Sequence, residues 1–139
     1  MSQLTNQQEK LSKTINLFIP CMPINWNNYI NIERRPKGYF KANNIKQTEK
    51  QVVNLIARHQ VYQGNYPIEL ILRPHFKDFR QDLDNFRYKG LLDGLVTSGV
   101  IKNDNLNAIR KITLLPVFDD TEGVEITIKE LEQDGKDTV

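Results

Sequence analysis

Two hydrophobic periods alternate along this chain, and that alternation restricts its fold more than any other feature. Some short stretches repeat apolar side chains every second residue, as a strand with one buried face requires. Others repeat them every three to four residues, as a helix lying on a core requires. Thr14 to Pro20 (TINLFIP) alternates and then runs apolar, and reads as a strand stopped by proline. Ile45 to Val61 places Val52, Val53, Ile56 and Ala57 at helix spacing, with Lys46, Lys50 and Arg58 among its polar positions. After a turn at residues 63–67, Ile68 to Phe76 alternates as a second strand. Asn85 to Ser98 carries Tyr88, Leu91, Leu92, Leu95 and Val96 on one stripe, and Gly99 follows where a helix C-terminus favours a left-handed residue. Ile109 to Phe118 and Val124 to Leu131 read as closing strands joined by a polar turn. The order β-α-β-α-β-β predicts an α+β fold, a four-stranded mixed sheet with two helices packed on it.

A length of 139 residues suits one domain with a single core. Residues 1–13 and 132–139 are expected to be flexible, which leaves 14–131 as the folded domain. Cys21 is the sole cysteine, so an intrachain disulfide and a Cys/His zinc site are both excluded. No apolar run approaches the ~20 residues of a membrane span, and the first 13 residues lack the apolar core of a signal peptide. A cytoplasmic protein without membrane contact is expected. Pro23 to Phe40 reads as a long loop rich in asparagine, aromatic and basic residues, a length uncommon unless the loop is functional.

Charge divides the chain. Residues 1–80 hold twelve Lys or Arg against five Asp or Glu, and residues 81–139 hold seven against twelve, so a half of +7 precedes a half of −5. A basic half beside an acidic cluster suits a polyanion gripped next to a metal. Arg34, Arg35, Lys37 and Lys41, interleaved with Tyr29, Tyr39 and Phe40, have the composition of a loop that tracks phosphates and stacks on bases. Lys77 and Arg80 precede the acidic segment and are placed to hold a strand beside it; ordinary surface charge is the alternative for both groups. His59 and His75 lack partners at ligand spacing and read as structural or DNA-contacting. Asp119, Asp120 and Glu122 read as a hairpin turn.

The chemistry concentrates at Asp82-Leu83-Asp84-Asn85, followed by Lys89, Asp93 and Asn103-Asp104. In an extended chain Asp82 and Asp84 share a face. Paired carboxylates repel unless a proton or cation lies between them, and a hard ion such as Mg²⁺ prefers oxygen ligands. Asp104 completes a three-carboxylate set if Val100 and Ile101 run back along the sheet. Such a set binds one or two Mg²⁺ ions for phosphodiester hydrolysis, with a nearby lysine stabilising the developing charge. The alternative takes Asp84 and Asn85 as a helix cap, Lys89–Asp93 as a surface pair one helical turn apart, and Asp104 as a turn former.

The run DLDNFRYKGLLDGL, followed by SGVIKND, resembles the signature of the RusA family of Holliday-junction resolvases. The likeness extends back to the PINWNNY segment and forward to the last strand pair, covering about residues 15–131. It implies a homodimeric, Mg²⁺-dependent endodeoxyribonuclease, with Mn²⁺ as a substitute, that resolves four-way junctions by paired symmetric nicks in recombination and repair. Such proteins are often encoded by prophages and phages. By the resemblance, Asp82, Asp84 and Asp104 are the metal-binding acids and Lys89 the essential lysine. A dimer also follows from the two-fold symmetry of paired nicks. The chain departs from the pattern in three places: Lys89 is five residues after Asp84 rather than four, Asn103 replaces an acid, and Gln81 replaces an arginine. A non-catalytic protein of the same fold that binds branched DNA is the alternative function.

Overall fold

A computed structural model describes residues 13–132. The expected flexible ends therefore lie almost wholly outside the described residues. The α+β class and the mixed sheet hold, but the count of elements does not: the described residues form three α-helices and five strands. In chain order these are β1 (Ile15–Ile19), α1 (Trp26–Glu33), α2 (Gly38–Ala57), β2 (Ile68–Phe76), α3 (Lys89–Thr97), β3 (Ile109–Leu114), β4 (Val117–Phe118) and β5 (Gly123–Glu130), with a 3-10 turn at Leu83–Asn85.

Two errors of reading account for the difference. The segment taken as a loop contains α1 and the first turns of α2. Its asparagines and β-branched residues have low helix propensity, so α1 depends on its caps and on tertiary contacts. Asn25 Oδ1 accepts from Asn28 N at 2.8 Å, and Asn85 Oδ1, from the acidic motif, accepts from Asn27 N at 3.0 Å. Tyr29 is the residue of α1 that the core takes in. The second error is at Ile109–Phe118, which is broken by Leu115-Pro116 into β3 and β4. Proline offers no ladder N–H and restricts the residue before it.

The sheet order is β1-β5-β2-β3, with β4 also beside β2. β5 runs antiparallel to both β1 and β2, whereas β3 and β4 run parallel to β2. Alternation along β1 and β5 sends Ile15, Leu17, Ile19, Val124, Ile126 and Ile128 into the core, where they meet Ile68, Leu70 and Leu72 of β2. Helices α2 and α3 pack on each other. A Cβ placed on Gly94 would lie 2.6 Å from Val53 Cβ, so this position of α3 needs glycine for close approach to α2. α3 ends as expected at Gly99, whose φ of 82° closes the turn: Gly99 N donates to Val96 O and Val100 N to Leu95 O, both at 3.0 Å. This six-to-one and five-to-two pair of bonds satisfies the last carbonyls.

The path β2–α3–β3 fixes the placement of the acidic residues. β2 and β3 are parallel, so α3 must carry the chain from the C-terminal end of β2 back to its N-terminal end. The Asp82–Asn85 segment follows β2 at one end. The loop holding Asp104 precedes β3 at the other, where Ile68 N donates to Ala108 O.

Candidate functional site

Beyond Phe76 the chain makes a polar turn in which Arg80 N donates to Asp78 Oδ1 at 2.9 Å, and Arg80 Nε lies 3.6 Å from Asp78 Oδ2. Asp82 is extended (φ −89°, ψ 133°), but the next three residues close into the 3-10 turn. Asn85 N donates to Asp82 O at 3.0 Å and Phe86 N to Leu83 O at 3.1 Å. The extended DLD run expected from sequence is therefore cut after its first residue, and its two acids are divided. Asp82 lines a groove of about 440 Å³ with Asn28, His75, Asp78 and Glu122. Asp84 lines an adjoining hollow of about 470 Å³ with Trp26, Tyr88, Lys89 and Leu114. Nor do Asp84 and Asn85 cap α3, whose N-cap is Tyr88 with no side-chain bond. Asn85 caps α1 instead, coupling the motif to that helix.

Arg87 explains how the residue between Asp84 and Lys89 is absorbed. Its side chain is 1% exposed. Nε donates to Ile24 O at 3.1 Å, Nη2 pairs with both oxygens of Glu49 on α2, and the guanidinium lies 4.5 Å from the Tyr29 ring centroid and 5.7 Å from that of Trp26. Drawing Arg87 inwards leaves Lys89 outside as the first residue of α3, 60% exposed, with Nζ 3.8 Å from Asp93 Oδ2. Of the two cations following Asp84, Lys89 is thus the one that shares its hollow.

Asp104 does not join them. Val100 and Ile101 form no strand along the sheet: they are buried at the turn that ends α3, their amides donate to Leu95 O, and Val100 O accepts from Tyr62 N at 2.8 Å. Asp104 stands in an exposed turn in which Asn103 Oδ1 accepts from Asp104 N at 2.7 Å and from Asn105 N at 3.2 Å. The nine residues of α3 separate the two ends by about 13 Å of helix axis. Among the described residues no group of three or more His, Cys, Asp or Glu is arranged to hold a metal ion.

Arg34, Arg35, Lys37 and Lys41 are all exposed around the tight α1–α2 connection, where Lys37 takes a left-handed φ of 58°. Tyr39 and Phe40, also exposed, stack there with centroids 4.0 Å apart. Lys77 and Arg80 are exposed on the turn before Asp82.

One constellation had no signal in the sequence. His75, near the end of β2, meets Asp119 through Nδ1 at 2.9 Å and Glu125 through Nε2 at 2.8 Å. Burial disfavours the charged ring, but the hydrogen bonds to the two carboxylates outweigh it and raise the His75 pKa. The same bond to His75 lowers the pKa of Asp119. β4 and β5 lie on either side of β2 and do not pair with each other, so the hairpin expected at residues 119–123 is instead a connection that crosses the end of β2. His75 ties this connection, through Asp119 and Glu125, to the groove that Asp82 and Glu122 line.

The family profile of Endodeoxyribonuclease RusA matches residues 6–129. The chain belongs to the RusA family. The resemblance read from DLDN, the lysine and the acidic turn is thereby established over most of the chain. Membership makes this chain an endodeoxyribonuclease of the kind that resolves Holliday junctions in recombination and repair. Branched DNA as its partner is consistent with that membership, and no helix among the described residues is long and apolar enough to cross a membrane. Mg²⁺ dependence is typical of the family; among the described residues Asp82 and Asp84 line two adjoining hollows, and Asp104 stands in the loop before β3. No curated protein matches the chain.

Proposed function

We propose that this RusA-family nuclease acts as a homodimer whose catalytic sites are each built from two protomers. One protomer contributes Asp82, Asp84 and Lys89, and its partner contributes Asp104. The observation that carries this reading is the topology: β2 and β3 are parallel, so Asp104 lies at the opposite end of the strand pair from Asp82 and Asp84. A two-fold axis placing one end against the other converts that separation into two equivalent sites, the number that paired nicks in opposed strands require.

In this arrangement Mg²⁺, with Mn²⁺ as a substitute, is bound only by the assembled dimer, through carboxylate oxygens of the hard type it prefers. Lys89 meets a non-bridging oxygen of the scissile phosphate, where a fixed cation stabilises charge that develops in the transition state. Asp93 holds the ammonium at the mouth of the hollow. Arg87 and Glu49 are positioning residues, since they fix the backbone between Asp84 and Lys89. Arg34, Arg35, Lys37, Lys41, Lys77 and Arg80 grip phosphates, contacts that orient the substrate without reading its sequence. The nuclease domain spans residues 14–131.

A synthetic four-way junction tests the reading. Incubated with Mg²⁺, the protein is expected to produce paired symmetric nicks, and Asp84→Asn to bind the junction and leave it intact. Wild-type protein that binds junctions and cuts none with Mg²⁺ or Mn²⁺ would instead be the non-catalytic binding module.

A further inference from the structure

Three phenylalanines stand together at the end of the sheet from which the catalytic segment departs. Phe76 is the last residue of β2, and Phe118, its register partner, is the last of β4. Their ring centroids are 6.5 Å apart. Phe79, in the turn three residues before Asp82, lies against the outer side of Phe118, with centroids 4.2 Å apart and planes at 35°. Phe79 is 82% exposed and Phe118 45%.

Nothing in the fold requires this arrangement. A phenylalanine on a polar turn gains little by stacking on one neighbour while most of its own surface stays in water. Hydrophobic packing therefore leaves Phe79 unexplained. Its surroundings point to a ligand. Lys77 and Arg80 bracket it in the chain and are both exposed, so a flat apolar surface is flanked by cations. Asp78 is turned to Arg80 and Asp119 to His75. The Asp78–Arg80 pair is neutral as it stands, and Lys77, which makes no ion pair among the described residues, is the cation beside the ring, with Asp120 the exposed acid two residues from Phe118. The patch is also continuous with the proposed catalytic surface, since the turn that carries Phe79 leads directly into Asp82.

We infer that Phe79, backed by Phe118, is a stacking platform for one unpaired nucleobase at the branch point of the DNA substrate. Every base has a flat π-face that an aromatic ring can receive, and lysine and arginine beside the ring hold the adjoining phosphates. Extruding a base costs least where its stacking is already interrupted, as at the crossover of a four-way junction. An intact duplex has no such base to offer. The platform therefore makes junction binding tighter than duplex binding, and it draws the branch point towards the scissile phosphate. This inference rests on the nuclease reading given above.

The test compares wild-type protein with Phe79→Ala, Phe118→Ala and Phe79→Trp. Binding to a four-way junction and to a duplex of the same sequence is measured without divalent metal, and junction cleavage is measured with Mg²⁺. Phe79 is exposed, so Phe79→Ala is expected to keep the wild-type melting curve. Phe79→Ala is expected to lose about ten-fold in junction affinity, the usual weight of one base–aromatic stack, with duplex affinity unchanged. Phe79→Trp is expected to restore junction binding, and Phe118→Ala to fall between the two. Equal loss on junction and duplex, or no loss on either, overturns the inference while leaving the nuclease intact. A change of association state in Phe79→Ala, seen by sedimentation velocity, also overturns it, because the rings would then be a contact between protomers. Wild-type protein that fails to cut the junction overturns the nuclease reading, and this inference with it.

Discussion

Replacing Glu49 by alanine removes the one carboxylate bonded to Arg87 among the described residues and leaves a guanidinium that is 1% exposed facing one backbone carbonyl and two aromatic faces. Stripping one partner from a buried pair destabilises by about 3–5 kcal/mol, because the remaining charge is neither solvated nor compensated. With a urea m-value of about 2 kcal/mol/M for a domain of this size, the unfolding midpoint of Glu49→Ala should fall by about 1.5–2.5 M. The Lys89–Asp93 pair, with its lysine exposed and its aspartate half-buried, supplies the comparison: Asp93→Ala should cost about 1 kcal/mol or less. A Glu49→Leu, Arg87→Met double variant, which removes both charges, should regain most of the loss. Equilibrium urea unfolding followed by tryptophan fluorescence is suitable, since Trp26 is the sole tryptophan and lies beside the pair. A loss below about 1 kcal/mol for Glu49→Ala would refute the reasoning, for that is the value of a solvated surface pair.

Two further outcomes are expected. His75 binds its proton more tightly when folded than when unfolded. Its contribution to stability is therefore complete below about pH 6.5 and is lost as pH rises through its raised folded value. Asp119 acts in the opposite sense: its contribution is present above its ordinary pKa and lost as pH falls through its lowered one. Urea midpoints measured from pH 5 to 9 should thus decline on the alkaline side in wild type and lie flatter in His75→Gln; parallel curves would contradict the clamp. Arg34→Ala combined with Arg35→Ala should weaken DNA binding about equally for all sequences and lower the slope of log K against log salt by about 2, one for each lost phosphate contact. An unchanged slope would remove the α1–α2 connection from the DNA surface.

How far the sequence disclosed this protein differed from element to element, for physical reasons. β2 was legible to the residue, because Ile68 to Phe76 alternates and a turn rich in glycine, asparagine and proline precedes it. Gly99 was legible because few other residues close a helix at φ 82°. α1 was not, because its residues favour helix weakly and what holds it lies far along the chain, at Asn85 and Arg87. The break at Leu115-Pro116 was available in principle, since a proline within an apparent strand argues against its continuity. At the candidate site, the residue types were legible and their arrangement was not. Asp82 and Asp84 share a face only in an extended chain, and hydrogen bonds close the chain at Leu83. Arg87 drew no reading of its own from the sequence; its partners, Ile24 and Glu49, lie 63 and 38 residues away, a relation that local spacing does not express. His75 finds its partners 44 and 50 residues away, a relation that pairing of β2 with β4 and β5 creates and local spacing cannot express. The position of Asp104 turns on whether β3 runs parallel to β2, which the order of elements alone leaves open.

The shared site is tested most directly by mixing two variants, each inactive alone. Asp84→Asn and Asp104→Asn, co-expressed with different affinity tags and purified as the mixed dimer, would be incubated with a four-way junction and Mg²⁺. If each site draws Asp82 and Asp84 from one protomer and Asp104 from the other, the mixed dimer has one intact site and one site altered twice. It should nick one strand of each junction, where wild type cuts two. If all three acids act within one protomer, both sites are damaged and the mixed dimer should cut nothing, the result that would contradict the account.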